Sequence, residues 1–136
     1  MNSNDDLTIL KAGQVAYPQS PEEARLESFD NPSGSSEYTV EFETCEFTSL
    51  CPVTGQPDFA SIKIRYVPDK KCIESKSFKL YLFSFRNHKG FAEAIVNRIL
   101  DDIVAACSPV QAQVTGSFTP RGGISIKVEA EYRKDK

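Results

Sequence analysis

The stretch Ala60-Ser-Ile-Lys-Ile-Arg-Tyr-Val67 decides the fold, because Ala60, Ile62, Ile64 and Tyr66 alternate with Ser61, Lys63 and Arg65. A period of two puts apolar and polar side chains on opposite faces of an extended chain, so this is a strand with one face in a core and one in water. Pro68 stops it, having no N–H for a ladder. Upstream, across the Pro52 to Pro57 loop, Tyr38 to Cys45 repeats the pattern, with Tyr38, Val40 and Phe42 on one face and Thr39, Glu41 and Glu43 on the other. Downstream, Ala112 and Val114 alternate with Gln111, Gln113 and Thr115, and Ile124, Ile126 and Val128 with Ser125, Lys127 and Glu129. Phe118-Thr-Pro-Arg-Gly-Gly123 supplies turn residues for a hairpin between this last pair.

Between the two strand pairs, Phe91 to Cys107 repeats at helical spacing through Ile95, Ile99 and Ile103, with Gly90 before it and Ser108-Pro109 closing it. Ser77 to Phe85 alternates like a strand through Phe78, Leu80 and Leu82, yet is apolar enough for a buried helix, and periodicity leaves both open. The order predicts an α+β fold: a four-stranded antiparallel sheet covered by helices on one face. Its uncovered face carries Lys63, Arg65, Lys127 and Glu129, and its two edges are unpaired. Pairing those edges between subunits closes a ring, so a homo-oligomer is expected.

With 136 residues the chain suits one compact domain. Residues 1–36 carry Pro18, Pro21, Pro32 and the run Asn31-Pro-Ser-Gly-Ser-Ser, which predicts an N-terminal arm ahead of a domain over 37–136. A hydrophobic fraction of 40% and a net charge of −3 fit an ordinary globular protein with no broad basic surface, so no direct nucleic acid partner is expected. The sequence has no apolar run of bilayer length, and Met1 to Gly13 does not read as a leader, so a cytoplasmic protein with no membrane partner is expected. Cys45, Cys51, Cys72 and Cys107 are unevenly spaced and His88 is the sole histidine, which points to free thiols and no metal site.

Three clusters carry possible chemistry. Cys51 lies in Glu46-Phe-Thr-Ser-Leu-Cys-Pro-Val-Thr-Gly-Gln-Pro-Asp-Phe59, in a loop whose prolines and glycine would keep its sulfur near the surface. A free cysteine is ordinarily a small buried hydrophobe; here it is also a candidate nucleophile, with Asp58 a candidate proton donor or else a strand-start carboxylate. In Glu74-Ser-Lys-Ser-Phe-Lys-Leu-Tyr81, the plain reading is a helix start with solvated lysines. The functional one is that Lys76 and Lys79, three apart, present two cations to a phosphate, with Arg121 a possible third. Glu93 in Asn87-His-Lys-Gly-Phe-Ala-Glu93 suits the positive end of a helix, and would also accept paired N–H bonds from a guanine-like edge beside Phe91.

Together, and in this order, these clusters resemble the NADPH-dependent 7-cyano-7-deazaguanine reductases, the nitrile reductases of queuosine biosynthesis, in their short single-module form. The resemblance runs from about Glu37 to Tyr132. It implies the tunnelling fold, in which the sheets of several subunits form a barrel with helices outside and sites between subunits, stacked as a decamer of two pentamers; Ser77 to Phe85 is then a helix. It implies that Cys51 adds to the nitrile carbon to give a thioimide while Asp58 protonates the nitrogen, and that two NADPH molecules deliver two hydrides. Glu93, with Phe91 and Ala92, and Ile73, Glu74 and Ser75 would bind the deazaguanine, while Lys76, Lys79 and Arg121 would meet the NADPH phosphates.

One position departs from the family pattern: Ala92 stands where a histidine is usual, and a methyl group transfers no proton. That implies either a slowed enzyme or another assisting group, and His88 is the family's ordinary Asn-His residue rather than a substitute. Two alternatives follow. One is an amidinotransferase relative that resolves the same thioimide with ammonia on nitrile-bearing tRNA, against which the Glu74 to Tyr81 string counts. The other is a deazapurine binder impaired by Ala92. A pterin-forming enzyme of the same fold is disfavoured by its missing zinc ligands.

Overall fold

A computed structural model of the chain describes residues 17–135. The sheet is the expected one: β2 (Val40–Leu50), β3 (Pro57–Val67), β5 (Gln111–Arg121) and β6 (Ile124–Arg133) pair antiparallel in the order β2-β3-β5-β6. A short ribbon adds β1 (Ser28–Asp30) to β4 (Lys71–Ile73). Helix α1 spans Ser75–Phe83 and runs into a 3-10 turn at Ser84–Asn87, and α2 spans Ala92–Cys107. The segment that periodicity left open is therefore helical. Phe78, Tyr81, Leu82 and Phe85 from it, and Ile95, Val96, Ile99 and Ile103 from α2, close over Ile62, Ile64, Tyr66 and Val114 of the sheet.

Strand β2 runs past Cys45, where alternation in the sequence fades, to Leu50. Its register against β3 shifts between Thr44, opposite Ile62, and Phe47, opposite Ala60, so three steps on β2 match two on β3. This is a β-bulge, one extra residue in one strand. The Glu46 N–H that it frees donates to the Thr44 hydroxyl at 3.1 Å. The β5–β6 turn is tighter than the sequence suggested: two residues, Gly122 and Gly123, with φ of +59° and +80°. Positive φ at both positions is what a two-residue turn between twisted strands requires, and glycine takes it without strain.

The expected arm falls partly on residues 1–16, outside those described. Residues 17–36 lie along the domain: Ala24 and Leu26 pack against its core, Glu27 is buried, and Glu22 pairs with Arg98 of α2. Arg98 also pairs with Asp102, which accepts from the Tyr81 hydroxyl, so the segment is tied to both helices. Among the described residues, no helix is long and apolar enough to cross a membrane.

Candidate active site

Cys51 follows the last residue of β2 and opens a loop closed by two backbone bonds, Cys51 N–H to Gln56 O at 2.8 Å and Gly55 N–H to Cys51 O at 2.9 Å. Gly55, with φ of +75°, lets the chain turn back. The half-buried thiol is held below its ordinary pKa, first by the Thr54 hydroxyl and then by the N–H groups of Thr54 and Val53; burial and the nearby Asp58 charge oppose them. Hydrogen bonds to an anion favour it, so the loop stabilises thiolate at the sulfur.

Asp58, the second residue of β3, stands directly across from Ser49 of β2. Facing residues of an antiparallel pair project to the same side, so Asp58 shares the helix-covered face with buried Ser49. The Ser49 hydroxyl is fully buried and has no partner among the described residues. Asp58 is held from β5, by the Arg121 Nε at 2.9 Å.

The start of α2 joins this corner through a small parallel bridge: Leu50 N–H donates to His88 O at 2.9 Å and Gly90 N–H to Leu50 O at 3.1 Å. Cys51 is thereby next in chain to a residue bonded on both sides of Lys89, and Phe91, Ala92 and Glu93 begin immediately beyond. Phe91 is 60% exposed, and the Glu93 carboxylate in the first helical turn has no partner among the described residues. Ala92 is half-buried against the core. The His88 ring meets Phe85 edge to face with centroids 5.4 Å apart, so its packing is explained by Phe85.

Ile73, Glu74 and Ser75 lie at the far end of the sheet, and α1 carries Lys76 and Lys79 back along β2, where Lys79 lines a hollow with Glu43, Thr44 and Phe47. The Ile73 N–H donates to the Tyr66 hydroxyl, and Tyr66 faces Val40 at the start of β2. Cys51 lies beyond the other end of that 11-residue strand, about 30 Å away at the usual rise. Glu74 caps α1, its carboxylate accepting from the Ser77 and Lys76 N–H groups at 2.7 and 2.8 Å. Beside it a hollow of about 330 Å³ is lined by Phe29, Tyr38, Phe42 and Cys72, with Ile73 to Ser75 on its wall. Lys76 and Lys79 are exposed on α1, with no ion-pair partner among the described residues. One chain thus brings together Cys51, Asp58, Arg121 and the Phe91 to Glu93 turn, and keeps Ile73 to Ser75 apart from them.

The family model described as QueF-like protein matches residues 57–136. The chain belongs to this family. It is 53% identical over 128 residues to the NADPH-dependent 7-cyano-7-deazaguanine reductase of Bacteroides thetaiotaomicron, covering 94% of this chain and 84% of that one. To the enzyme of the same name from Streptococcus thermophilus it is 50% identical over 131 residues, covering 96% and 80%. Among solved structures, the apo archaeosine synthase QueF-Like superposes with a TM-score of 0.66 at 25% identity, over 71% of this chain and 94% of that one. The QueF-like framework accounts for the α+β fold and for the sheet's helix-covered face. Sequence reading missed Thr54, whose position three residues after Cys51 in a Pro-Val-Thr-Gly turn was the available signal, and it missed Ser49 and Gln56.

Proposed function

We infer that this protein catalyses NADPH-dependent reduction of the nitrile of 7-cyano-7-deazaguanine to an aminomethyl group, in queuosine biosynthesis. The observation that carries this is the Cys51 corner: a thiol whose anion is stabilised by Thr54, with Asp58 on the neighbouring strand and, one short segment away, a Glu93 carboxylate with no partner among the described residues. The Cys51 sulfur adds to the nitrile carbon, one C–N π bond opens, and Asp58 delivers a proton to the nitrogen, leaving a thioimide. Glu93, with Phe91 beside it, accepts from the N–H edge of the deazaguanine. NADPH, when bound, supplies hydride. Lys76 and Lys79 suit its phosphates, being two cations on one exposed helical face with no competing carboxylate partner among the described residues.

The separation of Ile73 to Ser75 from Cys51 supports a site shared between subunits. Strand β2 and strand β6 are the outer strands of the sheet, and Ile124 and Ile126 on β6 are 70% and 45% exposed, as an edge awaiting a neighbour would be. A ring closed through these edges, stacked in pairs as a decamer, brings one chain's Cys51 corner toward another's Glu74 corner. The test is loss of NADPH absorbance with 7-cyano-7-deazaguanine, alongside intact mass of the protein. Absence of both turnover and a Cys51 adduct would sink the reading. The amidinotransferase alternative is disfavoured because identity is about 50% to reductases and 25% to the archaeosine synthase; amidine formed on nitrile-bearing tRNA without NADPH would revive it.

A further inference from the structure

Arg121 commits all three of its guanidinium nitrogens to the segment that carries Asp58. Nε pairs with Asp58 Oδ1 at 2.9 Å, Nη1 donates to Gln56 Oε1 at 2.8 Å and Nη2 to Pro57 O at 2.6 Å. The β3–β5 ladder has already ended at Ala60 opposite Phe118. Beyond it Pro120 has no N–H to offer, and the side chains take over: Thr119 Oγ1 donates to Phe59 O at 2.6 Å and Arg121 holds residues 56 to 58. With each nitrogen bonded to one short segment the planar fork is fixed in place, its second Nη hydrogens alone remaining to donate elsewhere. Lys76 and Lys79 show the contrasting case, exposed and unpaired among the described residues.

The pair also constrains the chemistry. Arg121 binds Asp58 as carboxylate, and a carboxylate gives no proton until it has received one. The Cys51 thiol, near enough to feel the Asp58 charge, carries a proton that addition to the nitrile must release. We propose that Arg121 is a positioning residue for the addition step, fixing the Asp58 carboxylate beside Cys51 so that it relays the thiol proton to the nitrile nitrogen. The step balances: S–H gives its proton to Asp58, the S–C bond forms as one C–N π bond breaks, and the nitrogen takes the same proton, returning Asp58 to its pair with Arg121. No electron donor enters until hydride arrives later. This rests on the reductase reading given above.

The test separates the two. Wild type, Arg121→Ala, Arg121→Lys, Asp58→Asn and the Arg121→Ala/Asp58→Asn double variant are mixed with 7-cyano-7-deazaguanine without NADPH, and adduct growth is followed by intact mass. NADPH KM is measured in separate turnover assays. The expected result is adduct formation slowed roughly tenfold or more in Arg121→Ala, partly recovered in Arg121→Lys, with the double variant no slower than Asp58→Asn. Adduct formation by Arg121→Ala at the wild-type rate, with only the NADPH KM raised, overturns the proposal and leaves Arg121 as a cofactor ligand. A folded wild-type protein that forms no adduct overturns the reductase reading instead, and the proposal with it. Thermal melts check folding, and Arg121→Gln carries the same comparison if the alanine variant does not fold.

Discussion

Thr54 offers its hydroxyl to the Cys51 sulfur, and that single contact is the largest influence lowering the thiol's pKa. Removing it lets the pKa rise, so less thiolate is present near neutrality. Thr54→Ala is therefore expected to move the midpoint of Cys51 alkylation by iodoacetamide to higher pH, read by peptide mass across a pH series; an unmoved midpoint refutes the role. Cys107 provides the contrast within the same chain, its thiol pushed up to about 12 by burial. Residue 92 sets the second expectation. Its alanine packs against the core beside Phe91 and brings no proton, so Ala92→His is expected to raise kcat by about tenfold or more, within the ordinary range of a positioned acid or base. Much of this corner was readable, since Cys51, Asp58 and Glu93 are chemical types in telling local settings. The Arg121 to Asp58 pair was not, because nothing near either residue names a partner that the sheet brings in from a different strand. Glu74 shows the opposite limit: the same Glu-Ser-Lys-Ser string reads as ligand or cap, and the structure finds its carboxylate on two backbone N–H groups.

At the scale of elements, α1 depends on that cap. Glu74→Ala frees two N–H groups in a poorly hydrated place and is expected to cost about 1 kcal/mol, seen as a lower urea midpoint with unchanged slope; Glu74→Gln, keeping one acceptor oxygen, should lose less. The contact of α2 with the sheet is tighter still. A methyl group on Gly116 of β5 would lie 2.7 Å from Val96 Cγ2 and 3.1 Å from Phe118 Cε1. Gly116→Ala must push helix from sheet and is expected to destabilise by about 1–3 kcal/mol, measured by the same titration; an undiminished midpoint would show that the layers part freely. The strands and α2 were legible because their apolar periods are long and clean. Helix α1 was ambiguous because nine residues that are apolar on most sides satisfy either period.

For the whole molecule, the decisive arrangement is that the Cys51 corner and the Glu74 corner lie at opposite ends of one sheet. If each site takes one corner from each of two chains, Cys51→Ala and Lys76→Ala/Lys79→Ala, each inactive alone, should recover turnover when co-refolded. Mixtures no better than their components would place the whole site in one chain. Sequence periodicity suggested paired edges but carried no sign of the bulge at Thr44 to Phe47, since Cys45 and Glu46 interrupt alternation without revealing an added residue. That bulge governs handedness of address. Even-numbered Val40 and Phe42 point to the helices before it, and odd-numbered Phe47 and Ser49 do so after it. By that count Cys51 inherits the helix side. Deleting Glu46 alone would remove the added residue yet leave Phe47 opposite Ala60, so Cys51 would keep the helix side, whereas inserting one residue between Phe47 and Cys51 should turn the thiol toward the opposite, polar face and abolish the chemistry.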